Sequence, residues 1–178
     1  MAVRLSSGSH RHSRPAPLRP TAARTLEAVF DILAGEIEDR RVLDLFAGVG
    51  SYGIMALKQG AASATLVDKA HATVRRMLKA VQQFHLDERA FVYHEDVFHF
   101  LHRTGGNETF DLIFCDPPYE ELAPAQVIGE IMAAGVLAHG GVLIFEHSRR
   151  QAPPDIPPLI LRKSRVFGDT TISIWDRP

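Results

Sequence analysis

The chain has 178 residues, the usual size of one domain, and its 46% hydrophobic and 23% charged residues are ordinary for a soluble globular protein. No apolar run approaches the roughly 20 residues of a membrane-spanning helix, and no apolar stretch follows the N-terminal arginines as in a secretory signal. The only cysteine, Cys115, excludes an internal disulfide and fits a reducing compartment, so we expect a cytoplasmic protein with no membrane partner.

The charge is distributed unevenly along the chain. Residues 1–26 contain five arginines and no acidic residue, whereas the remainder contains 15 basic and 21 acidic residues. Residues 1–18 are rich in Ser, His, Arg and Pro without apolar periodicity, which indicates a flexible arm. A basic arm on an acidic body suits phosphate contacts, although a solvated tail would have the same composition. We therefore predict a flexible basic arm over residues 1–18 and one folded domain over residues 19–178.

Strands and helices alternate through most of the predicted domain. Helices are predicted from an N-cap at Thr21 to Gly35 and over residues 52–59, 70–85, 97–102 and 121–137, and strands over residues 41–46, 64–67, 90–94, 110–115, 141–146, 159–166 and 170–175. Alternation with nearly continuous apolar strands indicates an α/β fold with a mostly parallel sheet covered by helices on both faces. The last two strands, separated by residues 167–169, are typical of an antiparallel hairpin, which gives seven strands in all.

The stretch Asp116-Pro117-Pro118-Tyr119 follows the apolar strand over residues 110–115. Two consecutive prolines donate no N–H and cannot continue a sheet, so the chain leaves the strand in a stiff loop. A lone Asp-Pro-Pro is a common strand-ending turn. Here, however, the loop offers the Asp116 carboxylate, the Pro117 carbonyl and the flat ring of Tyr119, a set that suits the exocyclic amine of a nucleobase.

Glycines and acidic residues fall at the carboxyl ends of the other predicted strands, where ligands bind in parallel sheets. The turn over residues 46–50 contains Gly48 and Gly50, whose lack of Cβ lets a ligand approach the backbone. Asp68 ends the second strand and is placed to bind ribose hydroxyls.

These features alone also fit NAD, because Gly53 completes the spacing G-x-G-x-x-G. Asp44 favours S-adenosylmethionine instead, since a carboxylate at the edge of the turn would repel a pyrophosphate but accept a hydrogen bond from an ammonium group. Asp96, after the third strand, would then accept from the adenine amine, with Val97 supplying a backbone N–H.

The order of these motifs resembles the Rossmann-like class I S-adenosylmethionine-dependent methyltransferases that modify amino groups of bases. The closer match is the bacterial 16S ribosomal RNA guanine-N2 methyltransferase family, which also carries an Arg-Pro-Thr element, here Arg19-Pro20-Thr21, and a Gly-Asp-Thr turn, here Gly168-Asp169-Thr170. The resemblance covers residues 19–176. The Gly- and Arg-rich stretch that precedes Arg-Pro-Thr in that family is shorter and poorer in glycine here, at residues 8–14.

The resemblance implies transfer of a methyl group from S-adenosylmethionine to the N2 amine of a guanine in 16S ribosomal RNA, free or in the small subunit. The predicted catalytic residues are Asp116, Pro117, Pro118 and Tyr119. The predicted cofactor-binding residues are Asp44, Phe46, Ala47, Gly48, Gly50, Asp68, Lys69, Asp96, Val97 and Thr21. The predicted RNA-binding residues are Arg11, Arg14, Arg19 and Arg24.

Two other functions fit part of the pattern. An adenine-N6 methyltransferase acting on DNA or RNA would use the same motif, because adenine also has an exocyclic amine. A non-catalytic binder could keep the fold, although the intact motif argues against it. The chain leaves little room for an added DNA-specificity segment, which favours RNA.

Other chemically suggestive residues are interpreted structurally. Cys115 should face the core if Asp116 faces the site, because strand neighbours point to opposite faces, so we do not expect a cysteine nucleophile. The histidine pairs, His10 with His12 and His99 with His102, lack a third ligand, and we predict no metal. Glu146-His147 is interpreted as a polar strand end.

Overall fold

A computed structural model describes residues 20–118 and 122–178, apart from the side chains of residues 20–22. The predictions for the arm, for Arg11, Arg14 and Arg19, for Tyr119 and for the side chain of Thr21 lie outside this description. The helices are α1 (Pro20–Ile32), α2 (Ser51–Lys58), α3 (His71–Gln83), α4 (Val97–Thr104) and α5 (Pro124–Ala134). The strands are β1 (Arg41–Leu45), β2 (Ser63–Asp68), β3 (Ala90–His94), β4 (Phe110–Cys115), β5 (Leu137–Ser148), β6 (Ile160–Phe167) and β7 (Thr170–Asp176).

The seven strands form one sheet in the order β3-β2-β1-β4-β5-β7-β6. Strands β1 to β5 pair in parallel, and β7 is antiparallel to both β5 and β6. The predicted mostly parallel seven-stranded sheet with a C-terminal hairpin is therefore confirmed. The chain order reverses between β1 and β4, and in open α/β sheets such a reversal opens a crevice at the carboxyl ends of the two strands.

Helices cover both faces of the sheet, as predicted. Apolar side chains of α1, α2 and α3 pack on one face together with Val42 of β1 and Phe114 of β4. Those of α4 and α5 pack on the other face together with Leu43 of β1 and Ile113 of β4. Successive strand residues thus alternate between the two layers, which follows from the period of two in a strand. None of the helices in the described ranges is long and apolar enough to cross a membrane.

Several predicted boundaries are wrong. Helix α1 begins at Pro20, so Thr21 lies inside the helix and is not its N-cap. Proline suits the first helical position because its missing N–H would have no partner there. Helix α5 covers 11 residues and ends at Ala134, because the following Gly135 has a φ of 66° that stops the helix. Strand β5 begins at Leu137, earlier than expected, and a register shift between Phe110 and Leu112 accommodates the extra residues against β4.

Gly50 is required for both conformation and packing. Its φ is 81°, and a Cβ at this position would lie 2.8 Å from Met77 Cγ and 2.9 Å from Leu66 Cδ2. Gly140 has a similar φ of 71° but open space around its Cα.

We expect Gly50→Ala to lower the free energy of unfolding by about 2–4 kcal/mol, because the strain of positive φ adds to overpacking. Gly140→Ala should cost about 1–2 kcal/mol from positive φ alone. Urea denaturation of both variants measures the difference. Equal losses would contradict the packing role of Gly50.

Candidate active site

The turn after β1 has an unusual backbone. Phe46, Gly48 and Gly50 all have positive φ, at 56°, 56° and 81°. The turn is closed by hydrogen bonds from Ala47 N–H to the Val67 carbonyl at 3.0 Å and from Gly50 N–H to the Ala47 carbonyl at 2.7 Å. A bulky residue such as Phe46 adopts positive φ only under constraint, at a cost of order 1–2 kcal/mol, and such strain is typical of functional sites.

Asp68, at the end of β2, joins this turn to the start of α3. One carboxylate oxygen accepts from Gly48 N–H at 2.8 Å, and the other accepts from Ala70 N–H at 2.7 Å and from the Thr73 hydroxyl at 3.0 Å. A carboxylate can accept about four hydrogen bonds, so Asp68 has capacity for a further donor. Its contact with a ribose remains a prediction. The structure adds a second role, because Asp68 connects the turn after β1 to the start of α3 by hydrogen bonds.

Asp44 lies deeper than the sequence pattern indicated. It is 1% exposed, and its Oδ2 accepts from Gly53 N–H at 2.9 Å. Burial raises the pKa of Asp44 well above its usual value, the Gly53 hydrogen bond lowers it, and the nearby charges of Asp116 and Asp68 raise it further. A cation bound beside these three carboxyls would relieve their mutual repulsion.

Gly53 provides the close packing that the third glycine of the G-x-G-x-x-G spacing implies. A Cβ on Gly53 would lie 2.8 Å from Leu66 Cδ2 and 3.3 Å from Asp44 Oδ2. A larger residue here would require Leu66 to move, so glycine favours the close approach of α2 to β1 and β2 at which the Asp44 hydrogen bond forms.

Asp96 caps α4. Its Oδ1 accepts from Phe98 N–H at 3.0 Å and from His99 N–H at 3.3 Å, the usual N-cap arrangement. Asp96 is exposed and Val97 is buried. The structure therefore gives Asp96 a local structural role, and its contact with an adenine amine remains a prediction.

The Asp-Pro-Pro stretch lies beside the turn over residues 46–50, which we call the glycine turn. The Asp116 N–H donates to the Leu45 carbonyl at 3.3 Å, which keeps the start of the loop in line with β1. A cleft of about 440 Å³ opens between the two segments. Its lining consists of Phe46, Asp68, Lys69, Ala70, Val97, Asp116, Pro117 and Pro118.

The cleft thus brings together residues from four strand ends that the sequence analysis assigned separately. Asp44, Ala47, Gly48, Gly50 and Asp96 do not line it but belong to the segments that form its walls. Arg24 is exposed on α1.

Cys115 faces the core, as predicted from strand alternation. It is 2% exposed and packs in the layer beneath α4 and α5. Burial raises the pKa of its thiol well above the usual value, as do the charges of Asp116 and Asp44. The thiolate needed for nucleophilic attack is therefore disfavoured. Within residues 20–118 and 122–178 no group of three or more metal-ligating side chains is found.

Glu146 and Tyr52 were not identified as site residues from the sequence. The Tyr52 hydroxyl donates to Glu146 Oε2 at 3.2 Å, and the Tyr52 ring stacks on Phe114 with centroids 5.0 Å apart. This hydrogen bond joins α2 to β5 between residues that are 94 positions apart, and no local sequence pattern predicts it. The one available signal was the position of Glu146 at the end of an apolar strand.

His147 corrects the interpretation of Glu146-His147 as a polar strand end. His147 is 1% exposed, its Nε2 lies 2.9 Å from Ser173 Oγ, and its Nδ1 lies 3.1 Å from the Ser148 carbonyl. Burial lowers its pKa, although the backbone contacts oppose the shift. The histidine is therefore a neutral core residue joining β5 to β7.

The double role of Asp68 can be separated by mutation. Asp68→Ala removes three internal hydrogen bonds together with the predicted ribose acceptor, so we expect S-adenosylhomocysteine to bind more weakly by about 1–3 kcal/mol and the protein to be less stable. Thr73→Val removes a hydroxyl that donates to Asp68 without changing the carboxylate. It should lower the stability of the protein while leaving the affinity for S-adenosylhomocysteine within a few-fold of wild type. Calorimetry measures both affinities. An equal loss of S-adenosylhomocysteine affinity in the two variants would mean that Asp68 only connects the turn to α3 and does not contact the cofactor.

Comparison with known proteins agrees with this architecture. The family model described as conserved hypothetical protein 95 matches residues 8–176. The putative rRNA methyltransferase YlbH of Bacillus subtilis is 30% identical over 161 residues, which cover 89% of this chain and 88% of that protein. Ribosomal RNA small subunit methyltransferase D of Escherichia coli is 29% identical over 181 residues, covering 98% of this chain and 90% of that protein.

A solved structure supports the fold. The 16S rRNA N2 guanine methyltransferase of T. thermophilus, described in complex with AdoMet and guanosine, matches with a TM-score of 0.72 and 22% identity over 91% of this chain and 44% of that one. The chain therefore belongs to the family described as conserved hypothetical protein 95, and it is related over nearly its whole length to bacterial ribosomal RNA methyltransferases.

Proposed function

We propose that the protein transfers the methyl group of S-adenosylmethionine to the exocyclic N2 amine of a guanine in 16S ribosomal RNA. The observation that carries the proposal is the cleft lined by Asp116, Pro117 and Pro118 of the Asp-Pro-Pro stretch and by Phe46 and Asp68. The small-subunit methyltransferase D relative supports a ribosomal RNA substrate, and a cytoplasmic location follows from that substrate.

The charge of the cleft fits this cofactor. Asp68 and Asp116 line it and Asp44 lies beneath it, close enough for their charges to raise the pKa of Asp44. Carboxylates attract the sulfonium and ammonium groups of S-adenosylmethionine, whereas they would repel the pyrophosphate of a dinucleotide. Lys69 is the single basic residue in the described lining.

Each cofactor-facing residue has a separate task. Asp68 accepts from the ribose hydroxyls, and the backbone at Gly48 and Gly50 allows close approach of the ligand. Phe46 and Val97 provide apolar surface for the adenine ring, with Asp96 and the Val97 N–H on its edge. Asp44 balances the positive charge of the amino-acid end. Thr21, outside the described side chains, completes the assigned set.

The chemistry relies on positioning. Bound S-adenosylmethionine supplies a methyl group already activated by its sulfonium. The guanine amine is a poor nucleophile because its lone pair is delocalised into the ring. Hydrogen bonds from its two N–H groups to the Asp116 carboxylate and the Pro117 carbonyl favour a pyramidal nitrogen with a free lone pair, and they stabilise the positive charge that develops on it. The methylated nitrogen then loses one proton to Asp116 or water, and S-adenosylhomocysteine is the leaving group.

Tyr119 holds the base in place. Stacking of a base on an aromatic ring contributes about 1–3 kcal/mol, enough to keep an extruded base in the site. Pro118 stiffens the loop between Asp116 and this ring. Arg11, Arg14, Arg19 and Arg24 neutralise phosphates of the RNA. Arg11 and Arg14 belong to the arm over residues 1–18, and phosphate contact is the function we assign to that arm.

Asp116→Ala tests the amine-binding role. We expect methyl transfer to fall by roughly 10²-fold or more, because an acceptor used in the transition state is lost, while S-adenosylhomocysteine affinity stays within a few-fold. Methyl transfer is measured with a labelled methyl group and small ribosomal subunits, and S-adenosylhomocysteine affinity is measured by calorimetry. Asp155→Ala, in an exposed loop, is the matched control and should change neither. Methylation at a normal rate by Asp116→Ala would contradict the proposed function.

Deletion of residues 1–18 tests the arm. The deleted segment contains three arginines, so the plot of RNA affinity against salt concentration should become flatter, while the melting temperature stays nearly unchanged. Neutralising two exposed arginines of α3, as Arg75→Gln with Arg76→Gln, controls for a general change of charge. A large fall in melting temperature on deletion would instead assign the segment to the fold.

A further inference from the structure

Glu146 lies next to Asp116 on the same face of the sheet. Strands β4 and β5 pair in parallel with Cys115 opposite Phe145, so Asp116 and Glu146 each follow by one residue. The preceding residues on that face, Phe114 and Ile144, belong to the layer beneath α1 to α3. Because neighbouring strands are about 4.8 Å apart, the two carboxylates originate side by side at the edge of the site.

Tyr52 holds the Glu146 carboxylate in position. The Tyr52 ring stacks on Phe114 with an interplanar angle of 14° and also on Phe30 of α1, at 6.4 Å between centroids. From this fixed ring, the hydroxyl donates to Glu146 Oε2 at 3.2 Å. A carboxylate held by a stacked phenol has a defined orientation, which is the property required of a residue that reads a base.

The surroundings keep the phenol in its donor form. Burial raises the pKa of Tyr52, and the charges of Glu146, Asp116 and Asp44 raise it further. The hydroxyl therefore stays protonated at neutral pH, and since carboxylate oxygens only accept hydrogen bonds, it can only donate to Glu146. The influence of both Glu146 and Asp116 on one hydroxyl also indicates that the two carboxylates converge on the same region.

We propose that Glu146 accepts the N1–H of the target guanine while Asp116 accepts from its N2 amine, and that Glu146 thereby selects guanine over adenine. The inference rests on the proposed function and adds a substrate-reading residue to it. Guanine presents N1–H and the N2 amine as adjacent donors on its Watson–Crick edge, and two adjacent carboxylates match them.

The same arrangement rejects adenine. When the adenine N6 amine occupies the position at Asp116, the neighbouring ring nitrogen is an acceptor and faces the Glu146 carboxylate, so two acceptors repel each other. Sites that require a substrate N–H discriminate strongly against an analogue that lacks it, because buried polar groups are left unpaired. The pair of carboxylates thus separates two activities that the Asp-Pro-Pro-Tyr motif alone leaves open.

The probe is 2-aminopurine riboside, which keeps the N2 amine but has an acceptor in place of N1–H. The guanosine that the wild-type protein methylates in small-subunit RNA is first located by mass spectrometry and then replaced with this analogue. We expect the wild-type kcat/KM to fall by roughly 10²-fold or more on the analogue. In Glu146→Gln, guanosine methylation should fall. The ratio of kcat/KM for guanosine to kcat/KM for the analogue should decrease to a few-fold, because an amide can donate to the analogue.

Two variants control for indirect effects. Glu88→Gln changes an exposed carboxylate on the surface and should preserve the full preference for guanosine. Tyr52→Phe keeps the ring stacked on Phe114 and removes only the hydroxyl bond to Glu146, so it should reduce the preference without unfolding the protein. This variant keeps the test valid even if Glu146→Gln folds poorly.

The outcomes separate this inference from the proposed function. An unchanged preference in Glu146→Gln or in Tyr52→Phe, or equal wild-type activity on both substrates, would overturn the role of Glu146 and leave guanine methylation intact. Loss of S-adenosylhomocysteine binding in Glu146→Gln would also overturn it, by placing the residue on the cofactor side. Absence of N2-methylguanosine in all wild-type reactions, or formation of N6-methyladenosine, would instead overturn the proposed function itself.

Discussion

The pairing of β1 with β4 is the contact on which the site depends. The parallel register places Leu45 opposite Cys115, and the Asp116 N–H continues the pairing by donating to the Leu45 carbonyl at 3.3 Å. This arrangement brings the glycine turn and the Asp-Pro-Pro loop together although they are about 70 residues apart in sequence. The chain order reverses at this pair, so no crossover helix covers the crevice between the two strand ends.

Charge repulsion is a second constraint on the site. Burial raises the pKa of Asp44, and the charges of Asp116 and Asp68 lie close enough to disfavour its ionised form further. Backbone N–H groups offset part of this repulsion, since Gly53 donates to Asp44 and Gly48 donates to Asp68. Such an arrangement leaves the cleft electronegative and therefore suited to a cationic ligand.

The same interactions that stabilise the fold orient the site. The Phe30, Phe114 and Tyr52 rings stack in sequence from α1 through β4 to α2, with neighbouring centroids 5.6 and 5.0 Å apart. At the end of this stack the Tyr52 hydroxyl meets Glu146. A residue that reads a base needs such rigid support, because an error of about 1 Å in its position weakens its selectivity.

The sequence by itself determined the features that depend on local chemistry. Apolar runs, breaking glycines and paired prolines specify where strands and turns occur, so the α/β class, the seven strands and the assignment of Asp68 and Asp116 to strand ends were all predictable. The ends of helices and strands were less predictable. Thr21 resembles an N-cap, but Pro20 begins the helix, and β5 extends back to Leu137 because β4 accommodates it through a register shift.

Only the tertiary structure decided which side chains share a partner. Asp68 binds both the glycine turn and the start of α3, Asp44 lies beneath α2, and Glu146 meets Tyr52. Each of these contacts joins elements whose separation depends on strand order and helix packing, and hydrophobic periodicity carries no information on either. The physical reason is that a pattern of period two or 3.6 specifies which face a residue occupies, whereas the partner on that face is set by how distant segments pack.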